Sequence, residues 1–420
     1  MKTAAFIEKL GKTPLSRESK IWTDPSKSDF QESLARWTDV DKREAGAIIF
    51  PATESDIVAI IKLAIEASIP FVARAGGHSS WSTIGSSGFI LDLSLIRSVV
   101  MNSKEQTATA GAGALTGDVV KAVNDKGYLA ATGTVNSVGF IPSIIGGGIT
   151  ILAPLIGFGS DNIVSARMVT AKGELITISD DENAELLYAI KGAGQFFGIV
   201  TSLTIKVHPL SILGTLNATV WSARLVFDVS KAGEVAKAAI DIRPVVILAQ
   251  GEIPFGMVNE TFQAFEGKGG LKKWLAVGLT NANQFKPEDM TQLVEQRSRV
   301  TEKYPAAKLT GSVIEFTSDG PWGKVPAEKE TAWSHRDIAT WCHFLCWASD
   351  EDALDYAYEV AEEFKEHLRY NQEKGQYSIY GNFSRTAPVK ERFKGRGRLE
   401  KLRHLKLRWD PEGIFTRELL

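Results

Sequence analysis

Glycine-rich loops are the strongest chemical signal in the amino-acid sequence. Three occur in the first half of the chain, RAGGHSS at 74–80, IIGGGIT at 144–150 and KGAGQFFG at 191–198. Because glycine has no Cβ, the backbone amides of such loops can approach an anion or a flat ring closely. One loop alone is explained equally well as a tight turn. Three loops in one half of the chain favour a site for a large, flat, phosphorylated cofactor, although none has the GxGxxG or GxxxxGKS/T pattern of the usual nucleotide sites.

Histidine and cysteine supply further reactive side chains. His78 in the first loop is compatible with four roles: a turn residue, a metal ligand, a catalytic base or the attachment point of a cofactor. Cys342, His343 and Cys346 form a second group, with His335 nearby. Their spacing does not fit a zinc site and the surrounding run is apolar, so we predict that they pack in the core and that the protein holds no metal.

Composition restricts the class of protein. With 420 residues, of which 44% are hydrophobic and 23% charged, the chain is expected to fold into about two globular domains. Lys and Arg number 48 against 50 Asp and Glu, and this balance gives no reason to expect nucleic acid or a membrane surface as a partner. Neither a signal-peptide core nor an uncharged apolar stretch of about 18 residues is visible, so we expect a soluble, cytoplasmic protein that binds a small molecule.

Hydrophobic periodicity indicates the elements that carry the loops. Up to about residue 208, short strands alternate with helices, among them helices capped by Thr53 and Thr116, and a hairpin turns at 171–174. From 210 to about 372, strand-like runs such as GSVIEFTS and WCHFLCWA alternate with longer helical patterns. This second part is expected to be an antiparallel sheet with helices. A basic amphipathic helix that ends at Asp410 follows near the C-terminus.

The order of these motifs resembles one family. Seven segments match its pattern: AGAIIFPATESDIVAIIKLA, VARAGGHSSW, FILDLS, GAGALTGDVVKAV, GGGITILAPLIGFGSDNIVSARMVTAKGEL, LLYAIKGAGQFFGIVTSLTIKVHP and RLEKLRHLKLRWDPEGIF. The chain resembles the berberine-bridge-enzyme-like FAD-linked oxidases of the vanillyl-alcohol-oxidase superfamily. The resemblance implies an α+β fold, in which a PCMH-type two-part FAD-binding domain (1–208 and 376–420) carries an antiparallel-sheet substrate domain (209–375) stacked on the flavin.

The resemblance also assigns site residues. The histidine of R-x-G-G-H-S is bonded to the flavin 8-methyl carbon in the family, so it implies covalent attachment of FAD through His78. Val135 stands where many relatives carry a second, cysteinyl link, so no second link is expected. Tyr380 of YGNF is the expected catalytic base, beside Asn382, with Arg385 as the cation that would lower the tyrosine pKa from about 10. The implied cofactor-binding residues are Arg74, Ala75, Gly76, Gly77, His78, Ser79, Gly133, Thr134, Gly139, Gly146, Gly147, Gly148, Asn162, Gly198, Ile199, Val200 and Asn382.

Several positions depart from the family pattern and keep alternatives open. Ile141 and Pro142 replace two glycines beside the cofactor. Further departures that make the pocket more apolar are Ser80, Pro154, Ile156 and Phe196. The expected reaction is the oxidation or oxidative cyclisation of a small apolar secondary-metabolite intermediate, by hydride transfer to FAD with reoxidation by O2. The alternatives are a redox-neutral isomerase or cyclase with FAD structural or absent, and a non-catalytic binding protein.

Overall fold

The computed structural model describes residues 2–222, 228–241, 251–281, 284–316, 330–370, 372–373, 377–382, 384, 387–395 and 397–420. Its strands are β1 Lys20–Trp22, β2 Ala47–Phe50, β3 Phe71–Arg74, β4 Phe89–Asp92, β5 Val99–Asn102, β6 Thr107–Gly111, β7 Tyr128–Leu129, β8 Ile163–Val169, β9 Leu175–Ile178, β10 Ile199–Lys206, β11 His208–Pro209, β12 Thr219–Ser222, β13 Gly251–Pro254, β14 Leu271–Leu279, β15 Gly311–Phe316 and β16 Thr340–Ala348. Its helices are α1 Lys2–Gly11, α2 Ser28–Ser33, α3 Glu54–Ala67, α4 Thr116–Asn124, α5 Phe140–Ile145, α6 Ala153–Ile156, α7 Ala184–Ala193, α8 Ala232–Asp241, α9 Pro287–Lys303, α10 Glu351–Arg369, α11 Val389–Arg392 and α12 Arg398–Trp409.

The first sheet positions the loop that contains His78. Its strand order is β1-β2-β4-β3, and both β2 and β3 run parallel to β4. Strands β2 and β4 are buried throughout because α3 covers one face of the sheet and α2 the other, which accounts for their continuous apolar sequences. The predicted cap of α3 is confirmed, since the Thr53 hydroxyl accepts a hydrogen bond from the Asp56 amide. Loop 74–80 begins at the carboxyl end of the edge strand β3.

The other two glycine-rich loops follow helices that pack beside the second sheet. Its strands follow the order β5-β6-β10-β8-β9 and all pair antiparallel. The predicted hairpin is confirmed, with Gly173 at φ +71° in the turn between β8 and β9. Helices α5 and α7 pack in the apolar core beside this sheet. Gly194, just after α7, lies so close to α5 that a Cβ on it would be 2.7 Å from the Cβ of Ile145.

Two details of this half differ from the sequence-based predictions. Thr116 is the first residue of α4 and Leu115 occupies the cap position, where its amide donates to the Asp118 carboxylate at 2.8 Å. The Thr116 hydroxyl instead donates to the Val138 carbonyl at 3.2 Å. Pro142, which we expected to disturb a glycine loop, lies in the first turn of α5. An amide at this position would have no intrahelical acceptor, so proline breaks no helical hydrogen bond.

The third sheet has two chemically different faces. Among the described residues its order is β14-β16-β15, with both pairs antiparallel. Successive side chains of a strand point to opposite faces. Cys342, Phe344 and Cys346 of β16 therefore join the apolar cluster formed with α9 and α10. Trp341 and His343 lie on the opposite face, which is turned toward the glycine-rich loops.

The C-terminal helix returns to the first half of the chain. Leu402 and Leu405 of α12 join the apolar core of the second sheet. The fully buried Lys406 ammonium donates to the Phe196 carbonyl at 2.7 Å and pairs with the Asp410 carboxylate at 2.5 Å. These contacts connect the C-terminal segment with the third glycine-rich loop. The domain limits at residues 208 and 375 stay a prediction.

Within the described ranges, no helix combines the length and the apolar character needed to cross a membrane. The same residues contain no group of three or more His, Cys, Asp or Glu side chains arranged to hold a metal ion.

Candidate active site

A large cavity lies between the third sheet and the glycine-rich loops. Its volume is about 1200 Å³, whereas a pocket for one small ligand is typically about 300–1,000 Å³. One side, here called the loop wall, consists of loops 74–82 and 133–143. The opposite side, the sheet wall, consists of residues from β14, β15 and β16. The cavity can therefore accommodate a cofactor together with a substrate.

Most of the predicted site residues border this cavity. Those that do are Arg74, Ala75, Gly76, Gly77, His78, Ser79, Gly133, Thr134, Gly139, Gly148, Tyr380 and Asn382. Val135, at the position of the cysteinyl link in relatives, borders it as well. Residues far apart in the sequence thus meet in one place.

Six predicted cofactor residues do not border this cavity: Gly146, Gly147, Asn162, Gly198, Ile199 and Val200. Gly147 packs against the ring of Trp333, and Gly198 packs against β8. The Asn162 amide donates to the carbonyls of Ile156 and Phe158. Ile199 and Val200 pair with β8 at the start of β10. These contacts give the residues structural roles, and their assignment to the cofactor stays a prediction.

The departures from the family pattern are divided between the cavity and the core. Ser80, Pro142 and Pro154 border the cavity. Phe196 does not: it is 1% exposed and its ring lies 5.6 Å from that of Phe393, edge to face. Ile141 is likewise part of the apolar core. Pro142 and Pro154, rather than Phe196, therefore make the pocket more apolar.

The glycines of the first loop are required by packing as well as by conformation. A Cβ on Gly76 would lie 2.4 Å from the Ser137 carbonyl oxygen and 2.5 Å from the Gly139 nitrogen. Gly77 has φ +70°, a left-handed conformation that side chains rarely adopt. The two loops of the loop wall are thereby pressed against each other.

Among the residues that the structure describes, two buried polar atoms on the cavity lining have no hydrogen-bond partner. The Arg74 guanidinium donates from Nε to Asp92 and from Nη2 to the Ser33 carbonyl, but its buried Nη1 has no acceptor. The buried Oε1 of Gln195 similarly has no donor. On Gly133, a Cβ would meet nothing within 4 Å. The cavity lining thus offers a free donor on Arg74, a free acceptor on Gln195 and accessible backbone at Gly133. These groups fit a large cofactor with phosphates and a polar ring system.

His78 is held as a neutral imidazole at the cavity surface. Its Nε2 lies 2.8 Å from the Ser137 hydroxyl oxygen, and its ring stacks on Trp37 at a centroid distance of 6.1 Å. Burial, followed by the nearby charges of Lys272 and Lys268, lowers the pKa of His78 to about 4. A neutral imidazole has a free nitrogen lone pair and can act as a nucleophile.

Tyr380 and Asn382 form a hydrogen-bonded pair at the cavity. The Asn382 Nδ2 group donates to the Tyr380 hydroxyl at 2.8 Å and to the Ser143 carbonyl at 3.2 Å. Gly146 makes room for this amide, because a Cβ there would lie 2.1 Å from Asn382 Oδ1. Burial raises the pKa of Tyr380 to about 12, which argues against the predicted role as base. Arg385, expected to lower that pKa, lies outside the described residues.

The sheet wall contains a hydrogen-bonded pair of titratable residues that the sequence analysis missed. His343 Nε2 lies 3.1 Å from Glu315 Oε2, and the Trp274 indole N–H donates to His343 Nδ1 at 3.2 Å. An indole nitrogen can only donate, so Nδ1 is the acceptor and the imidazole proton is on Nε2, directed at Glu315. Desolvation opposes ionisation of Glu315, but the hydrogen bond from His343 outweighs it and lowers the pKa of the carboxyl group. A carboxylate therefore faces the cavity.

His343 is buried, as predicted, but it does not lie in the apolar core that contains the cysteines. Cys342 and Cys346 do pack in the core, where burial raises the pKa of both thiols, that of Cys346 to about 12. His343 lies between them in sequence and so points to the opposite face, into the cavity. Side chains alternate between the two faces of a strand, and this alternation along WCHFLCWA could have indicated that His343 and the two cysteines lie on opposite faces.

Comparison with known proteins identifies the cofactor. Residues 45–179 match the FAD binding domain family model. The FAD-linked oxidoreductase fogF of Aspergillus ruber is 28% identical over 92% of this chain and 88% of its own. The (R)-6-hydroxynicotine oxidase of Paenarthrobacter nicotinovorans is 33% identical, over 47% of this chain and 43% of its own.

Solved structures show the same fold. The 6-hydroxy-D-nicotine oxidase of Arthrobacter nicotinovorans superposes with a TM-score of 0.79, at 22% identity over 96% of this chain and 97% of the other. The glucooligosaccharide oxidase of Acremonium strictum, which has a 6-S-cysteinyl, 8α-N1-histidyl FAD, gives 0.78 at 17% identity over 99% and 98%. Together with the FAD binding domain and the FAD-linked oxidoreductase relatives, this α+β fold identifies the chain as an FAD-dependent oxidoreductase that is similar to the berberine-bridge-enzyme-like oxidases.

Proposed function

We propose that this enzyme oxidises a small, flat, largely apolar molecule at a hydroxyl or amine group, with O2 as the final acceptor. The observation that carries the proposal is the Glu315–His343 pair, which faces the loop wall across the same cavity. When bound, FAD would accept the two electrons of the oxidation as one hydride. The protein must then supply a proton acceptor and hold the substrate between the two walls.

Glu315 is the proposed proton acceptor. Its pKa is lowered from 4.5, so it is ionised at neutral pH, whereas Tyr380 has a pKa raised to about 12 and stays protonated. The N–H of His343 fixes the carboxylate at 3.1 Å. Such positioning is what a general base requires, since geometry is decisive before pKa.

Tyr380 and Asn382 are the proposed orienting residues. The Asn382 amide bridges the Tyr380 hydroxyl and the Ser143 carbonyl, so the phenol is fixed relative to α5. A protonated phenol at the cavity surface can hydrogen-bond to a substrate oxygen without taking its proton. In this arrangement Tyr380 and Asn382 orient the substrate, and Glu315 accepts its proton.

Aromatic side chains support a flat substrate. The rings of Trp37 and Phe265 each lie 6.1 Å from that of Trp274, and all three border the cavity. Phe262 extends this surface. Aromatic rings stack favourably at such distances, so a conjugated ring system is the proposed substrate class. An intermediate of secondary metabolism is the proposed source of this ring system, and the relatives include FAD-linked oxidoreductases of fungi.

Covalent attachment of FAD through His78 is also proposed, with Val135 excluding a cysteinyl link. The supporting observations are the neutral imidazole and its place on the cavity surface. Acid precipitation followed by mass spectrometry of the peptide that contains His78 tests the bond directly. Flavin lost to the supernatant would contradict it and leave the redox proposal intact.

The redox proposal is tested with a panel of aromatic alcohols, phenols and cyclic amines. Under anaerobic conditions a substrate should bleach the flavin absorbance near neutral pH, and air should restore the absorbance with release of hydrogen peroxide. Conversion of a panel member with no bleaching and no oxygen uptake would contradict oxidation. That outcome would favour the redox-neutral isomerase or cyclase.

A further inference from the structure

Gln195 is a polar side chain on the cavity lining that the proposed reaction does not use. Its buried Oε1 has no hydrogen-bond donor among the described residues, and that part of the chain provides no acceptor for its Nε2 group either. A buried polar atom without a partner costs free energy, so such atoms are normally paired. The partner of the Gln195 amide is therefore expected in the cavity.

The backbone on both sides of Gln195 is fixed by packing. On one side, the fully buried ammonium of Lys406 donates to the Phe196 carbonyl at 2.7 Å. On the other side, a Cβ on Gly194 would lie only 2.7 Å from the Cβ of Ile145 in α5. The loop therefore presents the amide to the cavity from a rigid support.

Helix α5 connects the loop of Gln195 with the loop that contains His78. At the start of α5, a Cβ on Gly139 would lie 3.0 Å from the Gly76 nitrogen of the His78 loop. At its end, Ile145 packs against the loop of Gln195. The six residues of α5, which itself borders the cavity, span about 9 Å. The two loops thus lie at opposite ends of one short helix.

The isoalloxazine ring system of FAD also has two different ends. One end carries the 8-methyl group, whose proposed place is at His78. The other end is an imide, in which the N3–H group lies between two carbonyls, and three fused rings of a length comparable to α5 separate the two ends. A primary amide is complementary to such an edge, because its oxygen can accept the N3–H while its NH2 group donates to a neighbouring carbonyl.

We propose that the side-chain amide of Gln195 pairs with the imide edge of the flavin. Oε1 accepts the N3–H, and Nε2 donates to an adjacent flavin carbonyl. Gln195 is then a cofactor-binding residue, and its unpaired Oε1 acquires the missing donor. This inference rests on the proposed place of the 8-methyl group at His78 and adds the residue that recognises the opposite end of the ring system.

The order of side chains along α5 agrees with this pairing. The Asn382 amide, which also binds the Tyr380 hydroxyl, donates to the carbonyl of Ser143 between the two ends of the helix. The proposed orienting residues therefore lie between the His78 loop and the Gln195 loop. A substrate that gives a hydride to the central ring of the flavin has to be held in such an intermediate position.

The test compares the binding of FAD and of N3-methyl-FAD to the apoprotein of H78A. Without the imidazole no covalent bond can form at this position, so equilibrium dissociation constants can be measured from the quenching of flavin fluorescence. The methyl group removes the N–H and occupies the space in front of Oε1. H78A should therefore bind N3-methyl-FAD about tenfold more weakly than FAD, the effect of one lost hydrogen bond or slightly more.

Truncation of the amide separates this pairing from a general effect on folding. H78A/Q195A should bind FAD about tenfold more weakly than H78A. It should bind FAD and N3-methyl-FAD almost equally, because no Oε1 remains to meet the methyl group. H78A/Q372A is the matched control, since the Oε1 of Gln372 is also buried without a donor but Gln372 does not border the cavity. This control should discriminate between the two cofactors as H78A does.

A second measurement uses the chain with His78 in place. In a proton–nitrogen NMR spectrum of wild-type protein loaded with 15N-labelled FAD, the N3–H signal should be visible. Its exchange with water should be about tenfold slower than in Q195A, because a hydrogen-bonded proton exchanges only when the bond opens. An N3–H that exchanged equally fast in both proteins would contradict the pairing, even if H78A bound neither cofactor.

The outcomes distinguish this inference from the proposal beneath it. An equal preference for FAD over N3-methyl-FAD in H78A and H78A/Q195A would overturn the pairing. So would a Q195A protein with unchanged FAD affinity and a raised KM, because Gln195 would then face the substrate. FAD that is released by acid from the wild-type protein would overturn the covalent link, whereas the affinities measured without that link would still decide the role of Gln195.

Discussion

The loop wall and the sheet wall of the cavity are built on opposite principles. In the loop wall, function depends on backbone: Gly76 and Gly77 are required because side chains would collide or be strained there. In the sheet wall, the backbone is regular and function depends on which side chains alternate into the cavity, such as Glu315 and His343. The first wall is therefore suited to holding a cofactor, and the second to varying the chemistry applied to substrates.

The largest predicted effect concerns the sheet wall. E315Q removes the proposed base without changing its size and should lower the rate constant for flavin reduction by about 10²–10⁴. Anaerobic stopped-flow absorbance with a substrate from the panel measures this rate. E362Q is the matched control, because Glu362 also borders the cavity but pairs with Lys365. Equal rates of flavin reduction for E315Q and wild type would show that Glu315 is not the base.

The next prediction concerns the loop wall. G76A places a methyl group against backbone atoms of Ser137 and Gly139, and overpacking of this kind costs about 1–3 kcal/mol in the free energy of unfolding. FAD content should fall together with the denaturation midpoint. G85A is the control, since a Cβ there meets nothing within 4 Å. A G76A protein with normal FAD content would show that the two loops need not be pressed together.

A smaller effect is expected in the pH dependence of the reaction. Glu315 has a pKa lowered from 4.5, so its carboxylate is present above that lowered pKa and activity is lost as the pH falls through it. H343Q removes the imidazole N–H that lowers this pKa, leaving desolvation to raise it, and the acid limb of kcat/KM should move up by on the order of one pH unit. H367Q is the control, because His367 pairs with Asp289 outside the cavity. If the acid limb of H343Q stayed where it is in the wild type, the Glu315–His343 pair would not be the group whose titration limits the reaction.

The smallest effect is expected on the hidden face of the sheet wall. Burial raises the pKa of Cys342 and Cys346, and thiols react as thiolates. Neither cysteine should react with an aromatic disulfide reagent in the native protein, whereas both should react in denaturant. Absorbance of the released thiolate counts them. A native protein that reacted rapidly would show that His343 and the cysteines do not occupy opposite faces.

The loop wall could largely be predicted from the sequence because its signals are local. Each glycine-rich loop is continuous in the chain, and the caps and hairpin beside it have short-range signatures such as Thr53 and Gly173. The residues of RAGGHSS also carry the family resemblance. The placement of two single residues could not be predicted. Phe196 packs in the core and Pro142 lies in a helix, and both placements depend on tertiary packing.

The sheet wall could not be predicted because its site joins separate strands. Glu315 and His343 belong to β15 and β16, and only the register between those strands brings them together. Strand β14 was missed because Lys272 and Lys273 interrupt its apolar pattern. Lys272 is nevertheless buried, since backbone carbonyls and the ring of Trp347 surround its ammonium. Tyr380, predicted as the base, borders the cavity, but its burial raises its pKa and changes the chemistry it can perform.

Trp333 has a consequence for the order in which the enzyme is made. Its ring fills the space beside Gly147, and its backbone fills the space beside Gly192, so one residue packs on two glycine-rich loops. A ribosome synthesises both loops well before it reaches residue 333. The loops can take up their final packing only after this tryptophan has left the ribosome. Full assembly of the flavin site is therefore a late step in the synthesis and folding of each chain.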